Sequence, residues 1–66
     1  MKACINGQER EFPGGLTLAD LLERIGAPQA GIAVAKNDRV VRRAALFDEP
    51  VREGDRIEII KAVAGG

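Results

Sequence analysis

One short segment of the chain has helical periodicity, whereas its other apolar runs alternate residue by residue. Leu18, Leu21, Leu22 and Ile25 follow the i, i+3, i+4, i+7 spacing of a single buried helix face. The spacing predicts a helix of about nine residues, which is too short to be stable alone in water. The helix must therefore pack on other elements, and the alternating runs indicate that its support is a β-sheet.

Local signals mark both ends of this predicted helix. Thr17 can cap the first turn, and Asp20, three positions later, is a shorter stand-in for the Glu of a capping box. Gly26 suits the position just after a helix, and Pro28 blocks its continuation. The sequence therefore predicts one helix from Thr17 to about Ile25.

The start of the chain is typical of a β-hairpin. Alternation over residues 1–6 places the apolar side chains on one face, and Asn6-Gly7 is the strongest two-residue hairpin signal in the chain. A second strand is predicted from about Glu9 to Phe12, before the break at Pro13-Gly14-Gly15.

A second pair of strands is predicted after the helix. Residues 31–36 alternate, with Ile32 and Val34 on one face and Ala33 and Ala35 on the other. The next two residues, Asn-Asp, favour a turn, and residues 39–41 form a short return strand.

The last strand is predicted over residues 56–60, with Ile57 and Ile59 pointing inward and the residues between them pointing outward. Before it, residues 44–47 predict one helical turn that fills the core with either Leu46 or Phe47. The whole order is hairpin, helix, strand pair, short turn and final strand, which predicts an α+β domain with a single sheet covered by one helix.

Composition excludes several function classes. The formal net charge is zero, which argues against nucleic acid as a partner. No apolar run is long enough to span a membrane, and no secretory leader is recognisable, so we expect a cytoplasmic protein. The chain has one Cys and no His, which leaves neither a disulfide nor a metal cluster and removes the commonest general base. A chain with this composition is poorly equipped to be an enzyme.

The closing Gly65-Gly66 follows directly after the last strand. Glycine has no side chain, so such an ending can enter a channel that is too narrow for any other residue. This predicts that the C-terminal carboxylate is itself the reactive group. Residues 62–66 would reach roughly 17 Å when extended, at about 3.3–3.6 Å per residue.

Several short segments carry a resemblance to a known family. They are Asn6-Gly7, Thr17-Leu18 leading into Leu21-Leu22, Ile32-Ala33-Val34-Ala35, Asn37, Arg42 or Arg43, Gly54-Asp55 and Gly65-Gly66. With the order of elements, they make the whole chain similar to the thiamine-pathway sulfur carriers, the ThiS family of ubiquitin-like proteins. The resemblance implies a β-grasp fold in which a mixed sheet of four to five strands carries one main helix on one face. It also implies a domain over residues 1–61 and a flexible C-terminal tail over residues 62–66.

The family's chemistry implies a protein substrate and sulfur donor that binds no cofactor or metal and contains no catalytic residue. An E1-like adenylyltransferase would adenylate the Gly66 carboxylate with ATP and magnesium, while Val63, Ala64 and Gly65 thread into the partner's site. Sulfur delivered by a desulfurase would displace AMP and leave a thiocarboxylate on Gly66. Thiazole synthase would then take that sulfur to build the thiazole ring of thiamine.

The helix-free face of the sheet is the candidate partner surface. Ile60, Ala33 and Ala35 would form a small apolar patch there, with Lys61 at its rim, and Cys4 is expected on the same face. Three arginines that could steer an acidic partner are Arg39, Arg42 and Arg43. A solvated loop is the alternative explanation for these arginines.

Three other functions remain open at the level of sequence. The carrier could serve another acceptor, such as molybdopterin or a sulfur amino acid. The domain could instead be a non-covalent interaction module whose Gly-Gly ending is incidental. A small redox protein that uses Cys4 is the third alternative, although a single thiol has no resolving partner within the chain.

Overall fold

The computed structural model describes residues 1–28 and 31–61. These residues form five strands, one α-helix and one turn of 3-10 helix. In chain order the elements are β1 (Lys2–Ile5), β2 (Gln8–Glu11), α1 (Leu18–Arg24), β3 (Ile32–Lys36), β4 (Arg39–Val41), the 3-10 turn (Arg43–Ala45) and β5 (Arg56–Lys61). The element order predicted from the sequence is confirmed.

The five strands form one mixed sheet in the order β2-β1-β5-β3-β4. β1 and β5 run parallel, with Cys4 opposite Arg56 and Ile5 opposite Ile57, whereas the other neighbouring strands are antiparallel. The first strand therefore lies beside the last. With α1 covering one face, the fold is the α+β, β-grasp arrangement.

A tight turn at Asn6-Gly7 closes the first hairpin. Both residues have positive φ, 50° and 82°, which is the requirement of a type I′ turn. The turn pairs Ile5 directly with Gln8, so β2 begins and ends one residue earlier than the predicted Glu9–Phe12. Phe12 follows the strand and is buried in the core.

The capping box predicted for the helix is present. The Thr17 hydroxyl accepts a hydrogen bond from the Asp20 N–H at 3.2 Å, and the Asp20 carboxylate accepts one from the Thr17 N–H at 3.1 Å. The helix covers Leu18–Arg24 because Thr17 and Ile25 serve as its caps, so its helical part is shorter than the predicted nine residues. Its apolar face is fully buried.

Strands β3 and β5 differ slightly from their predicted ends. Gly31 has φ of 73°, a left-handed conformation that a strand cannot include, so β3 begins at Ile32. Lys61 lies opposite Ile32 in the antiparallel pair, which extends β5 one residue beyond the predicted Ile60.

The segment before β5 fills the core with Leu46. The 3-10 turn covers Arg43–Ala45, and Leu46 follows it at 2% exposure, whereas Phe47 is 63% exposed. The Leu46 carbonyl also accepts a hydrogen bond from the Ala19 N–H at 3.0 Å, which ties this segment to the start of α1.

The core lies between α1 and one face of the sheet. Its buried members are Ala3, Ile5, Phe12, Leu18, Ala19, Leu21, Leu22, Val34, Leu46, Val51 and Ile57. Within residues 1–28 and 31–61, no helix combines the length and the apolar character that a bilayer crossing needs.

Candidate functional site

The sheet face away from α1 brings two of the predicted surface residues together. Ala33 on β3 lies directly opposite Ile60 on β5. Val34 and Ile57 point into the core, so strand alternation directs Ala33 and Ile60 to the other face. Ile60 is 60% exposed, so most of this large apolar side chain is in contact with solvent.

Val40 extends this apolar surface towards the sheet edge. It lies opposite Ala35 in the β3–β4 pair and is 79% exposed. The predicted surface did not include Val40, although the two-residue turn at Asn37-Asp38 and simple alternation place it opposite Ala35. This apolar surface, the outer patch, consists of Ala33, Ala35, Val40 and Ile60.

Charged side chains border the outer patch. Glu58 lies opposite Ala35, on the same face as Ile60 and exposed. Lys61 is exposed too, but it lies opposite Ile32, and alternation places it on the helix side of β5. The structure thus groups Ile60, Ala33 and Ala35 and puts Lys61 next to them at the strand end rather than among them.

Two of the three candidate steering arginines line one cleft beside β4. Arg39 and Arg42 lie there with Lys36, whereas Arg43 begins the 3-10 turn and does not line the cleft. The Lys36 ammonium is already paired with Glu49 at 2.7 Å and donates to the Pro50 carbonyl at 2.8 Å. Arg39 and Arg42 are exposed, and their steering role stays a prediction.

Cys4 lies near the middle of the outer face, half-buried between its cross-strand neighbours. Glu9 is opposite it on β2, and Arg56 is opposite it on β5. The Arg56 guanidinium is paired with Asp38 at 2.9 Å. Cys4 is paired with Arg56, four residues before Ile60 on β5, and β5 itself separates Cys4 from Ala33, Ala35 and Val40. Cys4 therefore lies on the outer face but apart from the outer patch.

A polar cluster around Asp55 holds the start of β5. The Asp55 carboxylate accepts hydrogen bonds from the Arg52 N–H at 2.8 Å and from the Asn37 side-chain amide at 3.0 Å, and Lys36 lies 3.7 Å away. Burial by itself would raise the pKa of Asp55. The two hydrogen bonds and the Lys36 charge outweigh it, so the pKa of this carboxyl lies below its usual value.

The predicted reactive end falls outside the described residues. Val63, Ala64, Gly65 and Gly66 belong to the segment 62–66, as does the predicted boundary between domain and tail. Among residues 1–28 and 31–61, no three His, Cys, Asp or Glu side chains are grouped as a metal ion would need.

Two named proteins are similar in sequence to the whole chain. A sulfur carrier protein ThiS from Escherichia coli K12 is 35% identical over 66 residues, and the match covers both chains completely. A thiazole synthase from Paramagnetospirillum magneticum is also 35% identical over the full chain. The match spans only 20% of that protein's length, so the synthase contains a segment similar to this whole domain.

A solved structure has the same architecture. The crystal structure of a thiamine biosynthesis protein, ThiS, from Geobacter metallireducens superimposes with a TM-score of 0.87 at 29% identity, and both chains are completely covered. The model of the ThiS family matches residues 4–66, which is almost the whole sequence. The chain therefore belongs to the ThiS family.

Proposed function

We propose that this chain is a sulfur carrier protein of thiamine biosynthesis. The observation that carries the proposal is the end-to-end similarity to a protein named as a sulfur carrier, together with a family match that continues through Gly66. The chain acts as a protein substrate and sulfur donor, and partner enzymes supply the catalytic groups.

The chemistry takes place on the Gly66 carboxylate. A carboxylate resists attack because its negative charge repels a nucleophile, so it must first be activated. An adenylating partner forms the acyl adenylate from ATP and releases pyrophosphate. Sulfur supplied through a desulfurase then displaces AMP, and Gly66 carries a thiocarboxylate. The metal and the cations that stabilise this phosphoryl chemistry belong to the partner, because residues 62–66 contain no charged side chain.

Thiazole synthase is the proposed acceptor. Support comes from the synthase of Paramagnetospirillum magneticum, about a fifth of which is similar to this complete chain. Covalent linkage of a carrier domain to the synthase that it serves raises the effective concentration of each for the other. This favours thiazole synthase over molybdopterin synthase as the recipient of the sulfur.

The outer patch is the proposed docking surface. It presents apolar side chains on an open sheet face, and an exposed apolar group of this kind marks an interaction site. Ile60 is only six positions before Gly66, so a partner seated on the patch lies within reach of the reactive end. Docking there leaves the fold of the domain unchanged while Val63, Ala64 and Gly65 enter the partner's active site.

Intact mass spectrometry tests the proposal directly. The chain is incubated with an adenylating enzyme of the family, ATP, magnesium and a sulfur donor, and the expected product is heavier by the exchange of one oxygen for one sulfur at Gly66. Omission of ATP and deletion of Gly66 should each abolish the mass change. An unchanged mass, with an enzyme shown to activate another carrier, would favour a non-covalent interaction module.

Cys4→Ser tests the alternative that the chain is a small redox protein that uses Cys4. Cys4 is half-buried on the outer face and lies away from the outer patch, so the substitution should leave conversion of Gly66 intact. Loss of conversion in a folded Cys4→Ser protein would instead show that this thiol takes part in the function.

A further inference from the structure

Strand β5 continues past the point where its neighbour β1 turns away. The parallel register between them ends with Ile5 opposite Ile57, and the Asn6 N–H donates to the Ile57 carbonyl at 2.9 Å. The chain then enters the tight turn into β2, whereas β5 runs on to Lys61. Beyond Ile57, the edge of β5 that faces β1 has lost its backbone partner.

The side chain of Asn6 takes over this pairing. Its Oδ1 accepts a hydrogen bond from the Ile59 N–H at 2.7 Å, and its Nδ2 donates to the Ile59 carbonyl at 3.3 Å. A side-chain amide carries one acceptor and a donor group, as a peptide unit does, so it can replace a step of the ladder. Asparagine also tolerates the left-handed φ of 50° that the turn imposes.

We propose that Asn6 is a positioning residue for the reactive C-terminal segment. By holding Ile59 against the edge of β1, it orients Ile60 and Lys61, from which residues 62–66 continue. This inference rests on the proposed carrier function. A reaction at the end of a segment depends on how the reacting group is aligned in the partner's site. When the start of the segment is held less firmly, its end samples more conformations and is correctly aligned less often.

Asn37 provides a matched control at the opposite end of β5. It is also an asparagine with left-handed φ, 52°, and its Oδ1 accepts a hydrogen bond from the Arg56 N–H at 2.9 Å. Asn6→Gly and Asn37→Gly therefore each remove an amide that holds β5 and keep a residue that suits the backbone. Only Asn6 holds the end next to the reactive segment.

The first readout is amide hydrogen exchange of the full chain. Asn6→Gly should speed exchange at Ile59 by roughly five- to tenfold, the effect of losing one ordinary hydrogen bond. The Arg56 amide should respond to Asn37→Gly instead. Unchanged exchange at Ile59 in Asn6→Gly would overturn the inference.

The second readout separates positioning from docking. The rate of adenylation is measured as the rate of pyrophosphate release, at saturating ATP and with the concentration of the carrier varied. Asn6→Gly should lower kcat by about three- to tenfold with KM nearly unchanged, because the outer patch still docks while the end is misaligned. Asn37→Gly should leave both within about twofold, since it loosens the far end of β5 and the Asp55 cluster beside it, which also loses the hydrogen bond from Asn37, and neither is next to the reactive segment.

The possible failures are distinguishable. Wild-type kcat in Asn6→Gly, or equal losses in the two asparagine variants, would overturn the positioning role and leave the carrier function standing. Failure of the wild-type chain to be adenylated, by an enzyme active on another carrier, would overturn the carrier function and the inference built on it.

Discussion

Ala33 and Ile60 face each other across the antiparallel strands β3 and β5, on the side of the sheet that α1 leaves uncovered. The small Ala33 side chain leaves most of the Ile60 side chain accessible, at 60% exposure. An isoleucine side chain that is exposed to water contributes little burial free energy to the stability of the isolated domain. Its position is explained if a partner covers it, and this leads to the first prediction.

Ile60→Glu should weaken binding to the activating enzyme and to thiazole synthase without unfolding the domain. Burying an isoleucine is worth about 1.5–3 kcal/mol, so the dissociation constant should rise at least tenfold. Isothermal titration calorimetry measures the affinity, and thermal unfolding checks the fold. Phe47→Glu is the matched control because Phe47 is similarly exposed but is not a member of the outer patch and follows the 3-10 turn. Unaltered affinity of Ile60→Glu would remove Ile60 from the interface.

Gly65→Val should block adenylation while the domain stays folded. The branched valine side chain is too wide for a channel that admits only glycine, so the rate of ATP–pyrophosphate exchange should fall to near background. Gly14→Val is the control, because Gly14 lies in an exposed loop where a Cβ would contact nothing within 4 Å. If Gly65→Val were activated at the wild-type rate, the idea of a narrow channel would be wrong.

The stability of the domain should decrease in acid partly through Asp55. Its folded pKa is lowered, so it contributes stability that is complete above the unfolded value of about 3.9 and is lost as the pH falls through the folded pKa. Urea unfolding of the wild type at pH 7 and pH 3 should show this loss.

Asp55→Asn isolates the contribution of this carboxyl. It should cost about 1–3 kcal/mol at pH 7 and unfold with a weaker dependence on pH below about 4. Glu11 has a pKa lowered chiefly by a hydrogen bond from the Met1 ammonium and remains in both proteins, so it cancels in the comparison. An identical pH profile for the two proteins would contradict the role given to Asp55.

Leu46→Ala should destabilise the domain by about 2–5 kcal/mol, the usual cost of truncating a fully buried leucine. Phe47→Ala should change the free energy of unfolding by less than about 0.5 kcal/mol because its ring is in solvent. Chemical denaturation of the two adjacent variants measures the contrast. Similar losses in both would mean that Phe47 also packs against the core.

The local patterns proved reliable where short-range physics decides the structure. The Asn6-Gly7 turn, the Thr17–Asp20 capping box and the inward face of β5 depend on residues only a few positions apart. The strand order is less local, and before the structure it was implied only in outline, through the β-grasp fold of the family that the chain resembles. Within the elements themselves the errors were confined to their ends, for example where the left-handed Gly31 delays the start of β3.

By itself the sequence determined the elements, their order and the Gly-Gly ending, because periodicity, caps and turn residues act within a few positions. Only the tertiary structure decided that Leu46 rather than Phe47 enters the core, and that Val40 joins the surface made by Ala33, Ala35 and Ile60. It also paired the side chain of Asn6 with Ile59, 53 positions away. Such contacts depend on which strands become neighbours and on how far one strand extends beyond the other. Patterns over a few residues specify neither of these.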